Sequence, residues 1–270
     1  MKRVLQVMLA GALTAALISG CGGSNQSSSS SSFSSPSPGS STPTAVSGKI
    51  IVFGAASLKK TFTEIGDRVK TDNPGTDVEF NFAGSSDLVT QLTQGAPGDV
   101  FASADTKNMD KAKQANLLAG DPVNFASNTL TIVTAPGNPK HIALFKDLAQ
   151  PGLNVVVCQE QVPCGSATKK IEDATGMKLN PVSEETQVTD VLTKVTSGQA
   201  DAGLVYVTDA KSAGDKVTAV AFPESSGAVN VYPIAVLKDS KNPALAKKFV
   251  DMVNSEAGQK ILDAAGFAKP

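Results

Sequence analysis

Residues 50–69 read IIVFGAASLKKTFTEIGDRV, and this stretch decides the fold class. Residues 50–53 are apolar and mostly β-branched, which is typical of a buried strand. From Leu58 to Val69, apolar residues recur at steps of four, three and four, so they share one face of a helix. A turn of small residues, GAAS, joins the two. The stretch therefore predicts a strand that leads directly into a helix.

The same strand–turn–helix pattern recurs along the chain. It is found at residues 82–88, 161–166 and 185–189, and strands and helices alternate as far as the C-terminus. Such alternation predicts an α/β fold with doubly wound, mainly parallel sheets, because parallel strands need helical crossovers that cover both faces of a sheet.

The two longest predicted strands, 129–134 and 229–237, lie far apart in the chain. If both cross between lobes, residues 131–228 form a second lobe inserted into a first lobe made of residues 49–130 and 229–270. This arrangement predicts two lobes with a ligand cleft between them.

The N-terminus has the pattern of a secretory signal peptide. A basic MKR start is followed by an uncharged stretch over residues 4–20, and the sequence ISG precedes Cys21. This end resembles the lipobox of bacterial lipoproteins, which implies that residues 1–20 are removed and that Cys21 is acylated. The alternatives are an ordinary signal peptide with an incidental cysteine, or a membrane-spanning helix, although the stretch is short for a bilayer core of about 30 Å.

Residues 21–48 are rich in Ser, Pro, Gly and Thr and show no hydrophobic period. Such a segment buries too little apolar surface to offset chain entropy, so we expect a disordered tether. An acylated Cys21 would then hold the folded part at the extracytoplasmic face of the cell membrane.

Composition excludes several classes of function. The formal net charge is −1 and no basic stripe is present, so nucleic acid is not an expected partner. His141 is the only histidine, which argues against a histidine metal site and a Ser–His triad. We expect no directly coordinated metal cation.

The recurrent helix starts predict an anion site. In an open α/β sheet they gather at the carboxyl ends of the strands, and each presents N–H groups without an intrahelical partner. Several such starts bind an anion without Lys or Arg. Ser57 and Ser85 would add hydroxyl groups, although each serine could instead be a simple N-cap.

Five segments together resemble the periplasmic molybdate-binding proteins of bacterial ABC importers, which are type II periplasmic binding proteins. The resemblance runs from about Lys49 to the C-terminus, and its most specific segment is GAPGDVFASAD. The segments are GAASL (54–58), FAGSS (82–86), GAPGDVFASAD (95–105), GLVY (203–206) and AGF (265–267).

In that family an oxyanion is held by neutral donors alone. By motif, the resemblance implies the hydroxyl groups of Ser57, Ser85 and Tyr206. It also implies the backbone N–H groups of Cys164 and Val188, the second of which could shift by one residue. Cys164 departs from the small apolar residue usual in the family, but a backbone N–H does not depend on the side chain.

Cys158 and Cys164 are the two cysteines besides Cys21. In an oxidising compartment such a pair more often forms a disulfide than stays free, and a bond here would pin the predicted binding loop. Two buried free thiols are the alternative.

The resemblance implies a lipid-anchored, monomeric receptor that is not an enzyme and needs no cofactor. It captures molybdate, and tungstate, and delivers it to the permease of an ABC transporter. Sulfate has the same charge and shape and stays an alternative ligand. Hydrogenphosphate would need an acceptor in the site. Asp87 is a candidate for that role, but as a first-turn acid that supports the helix dipole it should face outward.

Two other classes compete with a receptor. The Ser-x-x-Lys pattern of secreted serine hydrolases occurs at 57–60 and at 166–169, but the partner motifs SDN and KTG are missing. A surface lipoprotein that binds another protein is the other alternative, and it leaves the clustered helix starts unexplained.

Overall fold

The structure is a computed structural model that describes residues 46–270. The predicted signal segment 1–20, the acylated Cys21 and nearly all of the tether 21–48 lie outside the described residues. These assignments therefore stay predictions.

Within residues 46–270 the chain forms ten strands and eight α-helices. None of these helices has the length and apolar character needed to cross a membrane. The strands are β1 (Gly48–Ala55), β2 (Thr76–Ala83), β3 (Val100–Ala102), β4 (Val123–Asn128), β5 (Leu130–Thr134), β6 (Val155–Cys158), β7 (Ser183–Glu185), β8 (Ala202–Tyr206), β9 (Thr218–Val220) and β10 (Asn230–Val236). The helices are α1 (Lys59–Asp72), α2 (Ser85–Thr93), α3 (Thr106–Gln114), α4 (Pro163–Thr175), α5 (Val188–Thr196), α6 (Val207–Ala213), α7 (Pro243–Asn254) and α8 (Glu256–Ala265).

The strands form two five-stranded sheets with the same topology. The first has the order β2-β1-β3-β10-β4 and the second the order β7-β6-β8-β5-β9. In the first sheet only β10 runs against the other four strands, and in the second only β5 does. The prediction of two mainly parallel sheets is therefore confirmed.

Helices cover both faces of the first sheet because its strands are apolar on both sides. Ile50 and Val52 of β1 pack with α1, α7 and α8, whereas Phe53 packs on the opposite face with α2 and α3. This is the continuous apolar pattern of a strand buried on both faces. The second sheet has its own core, in which β5, β6 and β8 pack against α4 and α5.

The chain passes between the sheets at two places. β4 ends at Asn128 in the first sheet and β5 begins at Leu130 in the second, and the chain returns between Val220 and Asn230. The two longest predicted strands do not themselves cross, because β5 lies wholly in the second sheet and β10 wholly in the first. β10 also continues through Pro233, where a register shift against β4 accommodates the proline.

Three elements have no clear hydrophobic signal in the sequence. β7 reads SEE and lies at the edge of the second sheet. β4 reads VNFASN and α6 reads VTDAKSA, and both are too polar or too short for a periodic pattern. Pairing with β10 and β6 fixes β4 and β7, and packing against β5 and β8 fixes α6.

Candidate functional site

The five predicted site residues line one cavity between the two sheets. Ser57 and Ser85 follow β1 and β2 of the first sheet, while Tyr206 ends β8 of the second. Cys164 and Val188 follow β6 and β7 and lie in the first turns of α4 and α5. All five therefore lie at the carboxyl ends of strands, where open α/β sheets bind ligands.

Neither predicted serine is an N-cap, so the simple capping alternative is wrong. Ser57 lies in a 3-10 turn, Ala56–Leu58, and Gly84 precedes α2 as its N-cap, which makes Ser85 the first helical residue. Ser85 Oγ instead accepts a hydrogen bond from the Ala104 N–H at 3.0 Å. Its own proton is therefore available to a group in the cavity.

Ser57 is held by a residue from a distant part of the chain. Its Oγ lies 3.1 Å from the Tyr232 hydroxyl, and the two residues are 175 positions apart. If Tyr232 donates this bond, the Ser57 proton is directed away from Tyr232 and towards the cavity.

The second sheet contributes two open helix starts. The residues that precede α4 and α5, Val162 and Gln187, make no side-chain capping bond. No protein acceptor among residues 46–270 takes a hydrogen bond from the N–H of Cys164 or Val188. These first-turn N–H groups are available, and the helix dipole gives them a partial positive charge.

A disulfide bond joins Cys158 at the end of β6 to Cys164 in α4. It ties the loop before α4 to the strand that the loop leaves. The packing there is close, because a Cβ on Gly165 would lie 1.9 Å from the Gln159 carbonyl oxygen. The N–H of Cys164 is therefore fixed in place from two sides.

Tyr206 is a buried side chain of the cavity lining. Its side chain is 1 % exposed, and its hydroxyl has no hydrogen-bond partner in the described part of the protein. Burial raises its pKa well above the usual value, and the neighbouring Tyr232, Asp105 and Asp209 add to the shift. The hydroxyl is therefore protonated at neutral pH. A buried unpaired hydroxyl is costly unless a ligand accepts its bond.

The cavity lining carries no charge. None of its 11 residues is acidic or basic, and Asp87, the candidate acceptor for hydrogenphosphate, is not among them. The cavity volume is about 10 Å³, close to the smallest space that holds a water molecule. A tetrahedral oxyanion is larger than a water molecule, so the lining must move apart to admit one.

Two buried carboxyl groups lie just outside the lining. Asp209 accepts a hydrogen bond from the Tyr206 N–H at 3.1 Å, and burial raises its pKa to about 7. Asp105 caps α3 by accepting a hydrogen bond from the Asn108 N–H at 2.9 Å. Burial raises the Asp105 pKa too, although its bonds to Asn108 oppose this effect.

The two lobes meet beside the cavity through backbone groups. A Cβ on Gly84 would lie 2.1 Å from the Thr186 carbonyl oxygen, so only glycine permits this approach. Asn230 Nδ2 donates to the carbonyl oxygens of Ala104 and Pro163, at 2.8 and 3.4 Å. These contacts connect the first lobe to the start of α4 and to the turn before α5.

Sequence reasoning missed Tyr232, Gly84 and Asn230. Tyr232 lies inside a strand, and nothing in its local pattern separates it from an ordinary core residue. The rarity of tyrosine was the one signal in the sequence, since the chain has only two. Both tyrosines lie at the candidate site, with ring centroids 5.9 Å apart.

The structure offers no support for the hydrolase alternative. Lys60 is exposed and Lys169 pairs with Asp173, while Ser57 contacts Tyr232 rather than a lysine. Among residues 46–270 no group of His, Cys, Asp and Glu is arranged to hold a metal ion.

Comparison with known proteins agrees with this geometry. Residues 50–268 match the family described as bacterial extracellular solute-binding protein. The molybdate-binding protein ModA of Mycobacterium tuberculosis is 64% identical over 236 residues, which cover 87% of this chain and 90% of that protein.

Solved structures share the fold. The periplasmic molybdate-binding protein of Azotobacter vinelandii has a TM-score of 0.70 at 23% identity, and the match covers 82% of this chain and 99% of that one. The sulfate-binding protein SubI of Mycobacterium tuberculosis has a TM-score of 0.68 at 21% identity and covers 82% and 86%. These relatives are binding proteins rather than enzymes, and the chain belongs to the family of bacterial extracellular solute-binding proteins.

Proposed function

We propose that this protein captures molybdate, and also tungstate, between its two lobes and delivers it to the permease of an ABC importer. One observation carries the proposal. The five residues predicted to supply neutral donors come from both lobes and line one small uncharged cavity, and the Tyr206 hydroxyl is buried there without a partner in the described structure. The proposed donors are the hydroxyl groups of Ser57, Ser85 and Tyr206 and the N–H groups of Cys164 and Val188.

A site made of donors favours an anion that has no proton to donate. Molybdate, tungstate and sulfate are such dianions at neutral pH, whereas hydrogenphosphate would bring its proton to a lining without a carboxylate. Molybdate is preferred to sulfate because the relative that is 64% identical carries the name molybdate-binding protein. Sulfate is the second candidate, because a sulfate-binding protein shares the fold.

Transport would use the two-lobed form. We take residues 131–228 as a lobe inserted between residues 49–130 and 229–270, with its start moved to Leu130, where β5 enters the second sheet. An anion held by Ser57 and Ser85 on one side and by Tyr206 on the other would stabilise the closed arrangement, and the permease would recognise that arrangement.

The membrane location rests on Cys21. Acylation there would anchor a monomeric receptor to the extracytoplasmic face of the cell membrane, with residues 21–48 as the tether. Mass spectrometry of the protein from its native host would detect a lipid-modified N-terminal Cys21. A Cys21→Ser variant should leave the membrane fraction, and an unmodified residue 21 with unchanged fractionation would refute the anchor.

The ligand is tested by calorimetric titration of the purified protein with molybdate, tungstate, sulfate and phosphate in turn. The proposal predicts tight one-to-one binding of molybdate and tungstate, with little response to the other two. Preference for sulfate would retain the receptor and overturn the ligand. No heat with any of the four would overturn the oxyanion receptor itself.

A further inference from the structure

A second and much larger cavity adjoins the candidate site. It has a volume of about 560 Å³ and lies between α1 and α8 on one side and α5 and α6 on the other. Ala56 and Ser57 line both cavities, so the larger one leads to the predicted anion donors. We call it the entrance groove.

The entrance groove is basic although the protein is not. Lys59, Lys60 and Lys211 line it, and Asp209, which is buried, is the one acidic residue of its lining. All three lysines are exposed, and none forms an ion pair within the described part of the chain. The whole chain has a formal net charge of −1, so this positive charge is local.

Helix stability does not explain two of these lysines. Lys59 and Lys60 are the first two residues of α1, and no acidic residue lies in that turn. A helix N-terminus carries a partial positive charge, so cations there are unfavourable. Their charge opposes the local helix dipole at the place where an approaching anion would pass.

From this geometry we infer that Lys59, Lys60 and Lys211 form an electrostatic entrance that steers the oxyanion towards the neutral donors. The inference rests on the proposed function and extends it by separating two tasks. The lysines act on the rate of association, while the cavity residues determine how firmly the anion is held. Clefts of one sign of charge raise association rates for ions of opposite sign about 10- to 1,000-fold, and salt screens this effect.

The test compares two triple variants of the purified protein that lose the same charge. One is Lys59→Gln/Lys60→Gln/Lys211→Gln. The matched control is Lys146→Gln/Lys238→Gln/Lys248→Gln, whose lysines are exposed, unpaired among the described residues and outside both cavities. Stopped-flow mixing with molybdate gives the association and dissociation rate constants, and calorimetry gives Kd independently.

At an ionic strength of about 10 mM, where charges act over about 30 Å, the groove variant should associate with molybdate about tenfold more slowly than the control. The association rate constants of the groove variant and the control should agree within about twofold at 1 M salt, where the screening length is about 3 Å. Equal association rate constants at low salt would overturn the inference. A change confined to the dissociation rate constant would also overturn the inference, because it would mean that the lysines contact the bound anion.

Lys211 needs separate treatment because it also packs across the groove. A Cβ on Gly266 would lie 3.3 Å from Lys211 Cδ, so this side chain contacts the end of α8. The double variant Lys59→Gln/Lys60→Gln leaves that contact intact and should retain most of the loss in association rate. If only the Lys211→Gln variant associates slowly with molybdate, Lys211 acts by holding the lobes together. That result would overturn the inference of an electrostatic entrance. A wild-type protein that binds no oxyanion would refute the proposed function itself, and the inference would fail with it.

Discussion

Helix starts at the cavity differ from helix starts that do not line it. α2, α4 and α5 begin after Gly84, Val162 and Gln187, and none of these has a side chain that caps its helix. The helices α3, α7 and α8 are capped by Asp105, Asn242 and Ser255, each of which accepts a bond from its own first turn.

The difference indicates a separate role for each kind of helix start. A cap satisfies one of the free N–H groups and stabilises the protein by about 1 kcal/mol. At the cavity this stabilisation is absent, and the N–H groups stay available to a ligand. The serines there make other contacts, since Ser85 bonds to Ala104 and Ser57 to Tyr232. Uncapped starts therefore predict a binding role, and capped starts predict a structural one.

The largest effect is expected at Gly84, where the lobes meet. Gly84→Ala places a Cβ in contact with the Thr186 carbonyl oxygen, so the lobes must separate and the donors lose their common centre. Several hydrogen bonds to the charged ligand would weaken together, each worth about 1–3 kcal/mol, and we expect a loss of molybdate affinity of about 100-fold or more.

Gly120→Ala is the control for Gly84→Ala. Gly120 has no neighbour within 4 Å of an added Cβ, so the affinity should not change. Because the lobes can relieve the clash by opening, Gly84→Ala should lower affinity far more than Tm. An unchanged affinity for Gly84→Ala would show that this approach of the lobes is not needed for binding.

Loss of a hydroxyl donor should have the next largest effect. Ser57→Ala, Ser85→Ala and Tyr206→Phe each remove one bond to a charged ligand, worth about 1–3 kcal/mol of binding free energy. Tyr206→Phe should not lower the free energy of unfolding, because it removes a buried hydroxyl that has no partner in the described structure. Calorimetry measures the affinity for molybdate, and thermal unfolding measures the stability. Unchanged affinity in all three variants would refute the assignment of these hydroxyl groups as donors.

The third prediction concerns Asp209 at the start of α6. Its folded pKa of about 7 lies above the usual 3.8, so the folded state holds the proton more tightly than the unfolded chain. This contribution to stability is complete below the unfolded pKa and is lost as pH rises through about 7. Between pH 5 and 8 the wild type should lose about 2 kcal/mol of unfolding free energy relative to Asp209→Asn, which keeps an acceptor for the Tyr206 N–H.

Denaturant unfolding of both proteins at the two pH values measures that difference. If the difference in unfolding free energy between wild type and Asp209→Asn were the same at both pH values, Asp209 would not titrate in this range. The buried carboxyl would then not set the pH response of this helix start.

The smallest effect is expected at a capped start. Ser255 accepts from the Gly258 N–H at 3.1 Å, and Ser255→Ala should cost about 1 kcal/mol, or about 2–4 °C in Tm. The affinity for molybdate should stay the same. If Ser255→Ala weakened molybdate binding as much as Ser85→Ala does, the distinction between capped and uncapped helix starts would be wrong.

Much of the fold was predictable because its elements carry strong local patterns. The apolar run of β1 and the helical period of α1 predict both elements without any distant contact. The edge strand β7, with the sequence SEE, was not predictable, because it is a strand only through its pairing with β6.

For the candidate site, the sequence predicted residues that follow strands and open helices. It could not predict which groups hold them in place. The contact between Ser57 and Tyr232 joins the turn after β1 to the interior of β10, far away in the chain, and the contact of Gly84 with Thr186 joins two lobes. Such contacts depend on the tertiary arrangement, and no spacing in the sequence encodes them.

The most direct test of the account is a crystal structure of the protein with molybdate bound. We predict one anion in the cavity, with its oxygen atoms within hydrogen-bond distance of Ser57 Oγ, Ser85 Oγ and Tyr206 Oη. The N–H groups of Cys164 and Val188 should complete its shell. An anion bound instead to the lysines of the entrance groove, with the uncapped helix starts making no contact to it, would contradict the account.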